Sequence, residues 1–141
     1  GGQALDLAAA GRSLSLAEVE QVHTLKTGAL IRASVLLAAY CAPGRSAAEL
    51  ASLGAFGSLV GLAFQVQDDI LDVEGDVALL GKQTGSDRAR AMPTYPAIAG
   101  LEAARARVAE LHRAAAAMLA RHGMSSSTLA AVADWLLARR H

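Results

Sequence analysis

A chain of 141 residues with 13 basic and 13 acidic side chains, 4 % aromatics and three prolines suits one compact domain, 1–141, and favours helix throughout. Zero net charge excludes a global field that would gather nucleic acid, and the single cysteine, Cys41, excludes a disulfide framework and points to a reducing, cytoplasmic setting. Arg32 and the prolines interrupt the best apolar runs, so no membrane span is expected, nor does a basic-then-apolar signal segment open the chain.

The first stretch, Gly1 to Ala10, reads as the end of a helix with Gly11 as its left-handed stop, and the start at Gly1-Gly2-Gln3 reads as the middle of something longer. Gln3 and Asp6 share a face, as a hydrogen-bonded pair at a helix end would. Ser15-Leu16-Ala17-Glu18 is a capping box that starts a helix running to about Ala42, ahead of Pro43-Gly44. Val19, Val22, Leu25 and Ala29 are its predicted apolar stripe, which leaves His23 to the surface or to packing. Cys41 is read as a small core residue. Lys26-Thr27-Gly28 interrupts the helix, because a mid-helix glycine costs about 1 kcal/mol relative to alanine, and a kink or unwinding there frees a backbone carbonyl. Lys26 then either directs its ammonium into a cavity or snorkels at the surface.

Ser46-Ala47-Ala48-Glu49 is a second capping box, opening a helix whose glycines, Gly54, Gly57 and Gly61, mark close approach of a neighbour. Within it lies Phe64-Gln65-Val66-Gln67-Asp68-Asp69-Ile70-Leu71-Asp72, three carboxylates inside the apolar segment Leu59 to Val73. On a helix Asp68 stacks on Asp72, and Gln65 and Asp69 occupy the adjoining row. Two like charges about 4 Å apart repel by roughly 4 kcal/mol at an effective dielectric near 20. A hard divalent cation relieves that repulsion, and Mg²⁺ takes only one or two carboxylates, completing its shell with water and substrate phosphates. The bland alternative is a solvated acidic face. Glu74 and Asp76 extend the acids, with no base before Lys82, Arg88 and Arg90, so the segment is charge-segregated as a site for a metal-bound polyanion would be.

Gly75 is expected to close that helix and residues 75 to 93 to form a long irregular loop, a length that is commonly functional. Gly81-Lys82-Gln83-Thr84-Gly85-Ser86-Asp87 lacks the spacing of a nucleotide-binding loop. Thr94 caps a helical section at Tyr95-Pro96. Leu101 to His122 is a helix with Leu101, Ala104, Val108, Leu111 and Ala115 on one face, Arg105 and Arg107 off it, and Gly123 as its end. Ser125 to Ser127 cap a last helix through Leu137, and Arg139-Arg140-His141 forms a basic tail. The whole reads as all-α, in about six helical segments.

Four motifs in this order and spacing resemble the polyprenyl diphosphate synthase family, most of all its bacterial farnesyl diphosphate synthases (geranyltranstransferases): Gly2-Gln3-Ala4-Leu5-Asp6-Leu7, Lys26-Thr27-Gly28-Ala29-Leu30, Phe64 to Asp72, and Gly81 to Asp87. The resemblance covers the whole chain but only the C-terminal half of the family's protein. It implies the C-terminal half of an isoprenoid synthase-type helical bundle. The implied activity is Mg²⁺-dependent condensation of isopentenyl diphosphate with an allylic diphosphate (dimethylallyl or geranyl), by a homodimer when full-length.

Carried onto this chain, the resemblance makes Asp68, with Asp69 and Asp72 in its shell, the metal set, and Lys26 and Lys82 the grip on the diphosphate. Gln65 sits at the same diphosphate, and the oxygens of Thr27 and Gln65 face the developing carbocation. Gln3, Asp6 and Phe64 line the cavity. The family's first aspartate-rich motif and its isopentenyl-binding residues do not occur in this sequence, and Met92-Pro93 stands where a further lysine is usual. The expectation is therefore a piece inactive by itself. The rival readings are a non-catalytic partner of a complete synthase and, third, a related helical terpenoid cyclase.

Overall fold

The computed structural model describes residues 14–80, 94–125 and 127–138, with side chains for all of these except 76–80. They form six α-helices and one π-turn, with no strand among the described residues. In chain order these are α1 (Leu16–His23), the π-turn (Thr24–Gly28), α2 (Ala29–Cys41), α3 (Ala47–Leu80), α4 (Tyr95–Ala99), α5 (Leu101–Ala120) and α6 (Thr128–Leu137). The all-α expectation holds. The readings placed on Gly1 to Gly11, on the segment 81–93, on Ser126 and on the tail Arg139-Arg140-His141 lie outside the described residues.

Helix starts follow the local chemistry. Ser15 Oγ accepts from the Glu18 amide at 3.3 Å while the Glu18 carboxylate accepts from the Ser15 amide at 2.8 Å. Ser46 and Glu49 repeat the exchange at 3.2 and 2.9 Å. The Ser46 backbone and side-chain donors, then Arg45, hold the Glu49 carboxyl down at about 2. Thr94 and Ser127 accept from the Ala97 and Ala130 amides, starting α4 and α6. Gly123, at φ +68°, ends the turn after α5 as expected, since only glycine takes that angle without strain.

The widened turn at Thr24–Gly28 is the form the predicted break takes. It also corrects the predicted stripe. Val19, His23, Gly28 and Ala39 are buried, with Thr27, Ile31 and Val35 half-buried, whereas Leu25 and Ala29 are exposed. Positions four apart drift by about 40° per step on a regular helix, and the extra residue in the π-turn takes part of that drift back. A constant 3.6 period misses this. Cys41, read as core, is exposed, because it falls off the row that ends at Ala39.

Every other described element touches α3. Its first half buries Leu53, Phe56 and Val60 with Ala39, Ala115, Leu119 and Ala133, while its second half buries Val66 and Ile70 with Val19, Tyr95, Ala104 and Val108. The α5 face is the one predicted, extended by Leu119. Glycines let α2 and the π-turn lie directly on α3: a Cβ on Gly61 would stand 2.6 Å from Gly28 Cα, and one on Gly57 2.8 Å from Arg32 Cα.

Two further expectations are corrected. Gly75 does not close the acidic helix, which continues to Leu80. A glycine without a left-handed angle costs a helix about 1 kcal/mol but does not stop it. And Ala47–Gly75 is, by length and composition alone, long and apolar enough to cross a membrane. A core helix with neighbours on several sides passes the same test, and α3 has them. Large apolar side chains left exposed among the described residues are Leu25 in the π-turn, Leu30, Leu37 and Tyr40 on α2, Ile98 on α4, and Val132 and Trp135 on α6, the tryptophan at 68 %.

Candidate active site

Helical period divides the acidic segment into two environments. Gly57, Gly61, Gln65 and Asp69, each four apart, form one row on α3, facing α1, the π-turn and α2. Along it Gly57 meets Arg32, Gly61 meets Gly28, and Asp69 meets His23, so α3 runs antiparallel to the first rod. Gln65, between the last two contacts, is buried. Asp68 and Asp72 belong to the adjoining row; Asp68 is half-buried and Asp72 exposed. The predicted stacking of Asp68 on Asp72 beside Gln65 and Asp69 is what the helix delivers.

The fold thereby brings together two motifs some forty residues apart in sequence. Lys26 and Thr27 lie in the π-turn, which packs on α3 through Gly28, and Gly61 is one helical turn from Gln65. Thr24, in the same turn, bonds Glu20 O through its hydroxyl at 2.7 Å. Lys26 is exposed, Thr27 half-buried, and Phe64 half-buried on α3. Gln3, Asp6, Lys82 and Met92 lie outside the described residues.

Asp69 is half-buried, its side chain 14 % exposed. Its Oδ2 accepts from the Tyr95 amide at 2.8 Å and pairs with His23 Nε2 at 2.9 Å. His23, read from the sequence as surface or packing, is a buried member of this junction. Its separation from Asp69 along the chain carries no signal; the four-residue spacing Val19–His23–Thr27 was the one available hint. Glu20 was also missed. Arg107 grips it with Nε and Nη2, at 2.8 and 3.1 Å, tying α1 to α5. Hydrogen bonds to Glu20 and then Glu110 push the Arg107 guanidinium further above its ordinary value. Burial, then the Glu20 charge, pushes the neighbouring Tyr95 phenol up. Glu74, the acid after Asp72, is paired with Arg105 from α5.

Among the described residues no three His, Cys, Asp or Glu side chains converge as a metal cage. Magnesium needs no such cage: one or two carboxylates suffice where a phosphate and water complete the octahedron. Asp68 and Asp72, stacked on one row with the first half-buried and the second exposed, could supply oxygens of that kind.

Comparison with known proteins gives a consistent picture. The family model described as polyprenyl synthetase matches residues 1–131. The chain is 46 % identical to the farnesyl diphosphate synthase of Escherichia coli (strain K12) over 99 % of its own length and 48 % of that protein. It is 37 % identical to the farnesyl diphosphate synthase of Geobacillus stearothermophilus over 99 % of its length and 47 % of that one. The chain thus spans about half the length of the curated relatives it matches. Among solved structures, an FPP/GFPP synthase from Zymomonas mobilis superposes with a TM-score of 0.78 at 30 % identity, covering 96 % of this chain and 44 % of that one. A geranyltransferase from Helicobacter pylori, complexed with magnesium and isoprenyl diphosphate, gives 0.75 at 32 %, with 96 % and 44 % coverage.

Proposed function

Because the chain belongs to the polyprenyl synthetase family, we propose that it is the second half of a prenyltransferase joining isopentenyl diphosphate to an allylic diphosphate, dimethylallyl or geranyl. The observation that carries this reading is the packing of the Lys26-Thr27-Gly28 turn on α3 at Gly61, one helical turn from Gln65 and two from Asp69.

In this reading the Lys26 ammonium, with Lys82, holds the diphosphate of the allylic substrate, and Asp68, with Asp72 a turn further on, holds magnesium, while Asp69 stands in their shell on the adjoining row. Bound there, the ion would neutralise the departing diphosphate and so ease cleavage of the allylic C–O bond. The Thr27 and Gln65 oxygens turn their dipoles toward the carbon that becomes positive. Gln65 does this from a buried position, where a fixed dipole acts more strongly than in water. In this reading Gln3, Asp6 and Phe64 belong to the lining of the same cavity. Positioning and electrostatics supply the rate enhancement; no covalent group on the protein is needed. The full-length enzyme is proposed to work in the cytoplasm as a homodimer, which light scattering on the purified protein tests.

The deciding experiment incubates a full-length protein carrying this sequence with isopentenyl and geranyl diphosphates, with magnesium and then with chelator. Magnesium-dependent release of diphosphate and a longer prenyl product is expected. A full-length protein that turns over neither substrate, yet restores or alters the activity of a complete synthase when mixed with it, would replace this reading by that of a regulatory partner.

A further inference from the structure

One oxygen of Asp69 joins three separate segments. Oδ2, carried by α3, accepts from the Tyr95 amide at the first residue of α4 and meets His23 Nε2 at the last residue of α1. A carboxylate oxygen only accepts, so Nε2 carries the hydrogen and His23 is the donor. The junction is enclosed, with the His23 and Asp69 side chains 11 % and 14 % exposed. The far nitrogen, His23 Nδ1, is buried without a hydrogen-bond partner, so the Nε2 contact alone provides polar orientation for the ring. An imidazole that only filled space would leave a desolvated nitrogen with nothing gained; the bond to a carboxylate is the gain. The residue after His23 begins the π-turn that carries Lys26 and Thr27.

Resting on the prenyltransferase reading, we infer that Asp69 and His23 are positioning residues. Through His23, Asp69 holds the Lys26–Thr27 turn at a fixed height beside the Asp68–Asp72 row, and through the Tyr95 amide it pins α4 to the same point. Its nearer oxygen is committed to two donors, and its part in the acidic motif is to set geometry; Asp68 ligates the metal.

Three substitutions in a full-length synthase carrying this sequence test this. His23→Leu removes the donor, His23→Gln returns an amide nitrogen near the Nε2 position, and Asp69→Asn keeps an acceptor for both donors while discarding the charge a metal would need. Expected for His23→Leu are a kcat lowered about tenfold or more, magnesium half-saturation within about threefold of the parent, and recovery of most of the lost kcat by His23→Gln. Amide exchange across Thr24–Gly28 should quicken about tenfold in His23→Leu and return toward the parent in His23→Gln. Asp69→Asn should shift magnesium half-saturation by less than about threefold, where Asp68→Asn shifts it about tenfold or more. The inference is overturned if Asp69→Asn raises the magnesium requirement as much as Asp68→Asn, or if His23→Leu leaves exchange in the turn unchanged. A parent protein without prenyl transfer would sink the functional reading instead, and the exchange measurement then decides the positioning role by itself. Should His23→Leu fail to fold, the His23→Gln and Asp69→Asn comparisons still decide it.

Discussion

The two halves of α3 are the same helix put to different uses. From Leu53 to Val60 it buries aliphatic and aromatic side chains against α2, α5 and α6, with no charge among them. From Gln65 to Glu74 it buries Val66 and Ile70 on one side but spends the other on an amide and four acids, two of them paired with His23 and Arg105. The first half gains stability from area removed from water; the second accepts polar groups and pairs two of its acids, Asp69 and Glu74, with partners from other helices. Stability and chemistry are therefore separable along this rod, and substitutions should report one or the other.

The largest effect on stability is expected at Phe56, almost wholly buried in the first half. Phe56→Ala should cost about 3–5 kcal/mol, read from a denaturation midpoint, without moving the magnesium requirement of a full-length synthase. Asp68→Ala should do the reverse, lowering turnover roughly a hundred- to thousandfold, about 2.7–4 kcal/mol, with the midpoint nearly unmoved. Unchanged turnover would remove Asp68 from the metal set and end the division between the halves. Gly61→Ala sits at their boundary. Its methyl would lie 2.6 Å from Gly28 Cα, so a loss of about 1–3 kcal/mol is expected together with a fall in activity, because the same contact seats the Lys26 turn.

The smallest effect belongs to the outer end of the first half, where Ser46→Ala should cost about 1 kcal/mol as a lost cap. Here pH sharpens the comparison. Glu49 is held at about 2 in the folded protein against an ordinary 4.5, so its contribution is complete above 4.5 and is lost as pH falls toward 2. An acid titration of stability should show that slope in the parent and a weaker one in Ser46→Ala.

Much of this architecture was legible because its causes are local. Both capping boxes, the Thr94 and Ser127 caps, the Gly123 stop and the α5 face rest on residues within a turn of one another. The glycines of α3 also announced a close neighbour, though not which one. What stayed hidden depends on partners far along the chain. The π-turn shifted the buried row from Leu25 and Ala29 to His23 and Gly28, and with that shift His23 reached Asp69. Gly75 looked like a stop because a helix end and a tolerated glycine look alike without a dihedral angle. The place of Asp69 on the Gln65 row was legible from helical period, but its partners there, His23 and the Tyr95 amide, were not.

Trp135 is the sole tryptophan in the sequence and stands on the outer face of α6 with most of its indole in solvent. Tryptophan fluorescence therefore comes from one sensor. Its emission should lie to the red and be readily quenched by iodide while that face is open. A shift to the blue with loss of quenching would register the covering of α6 by another surface, with no label added and the chemistry left undisturbed.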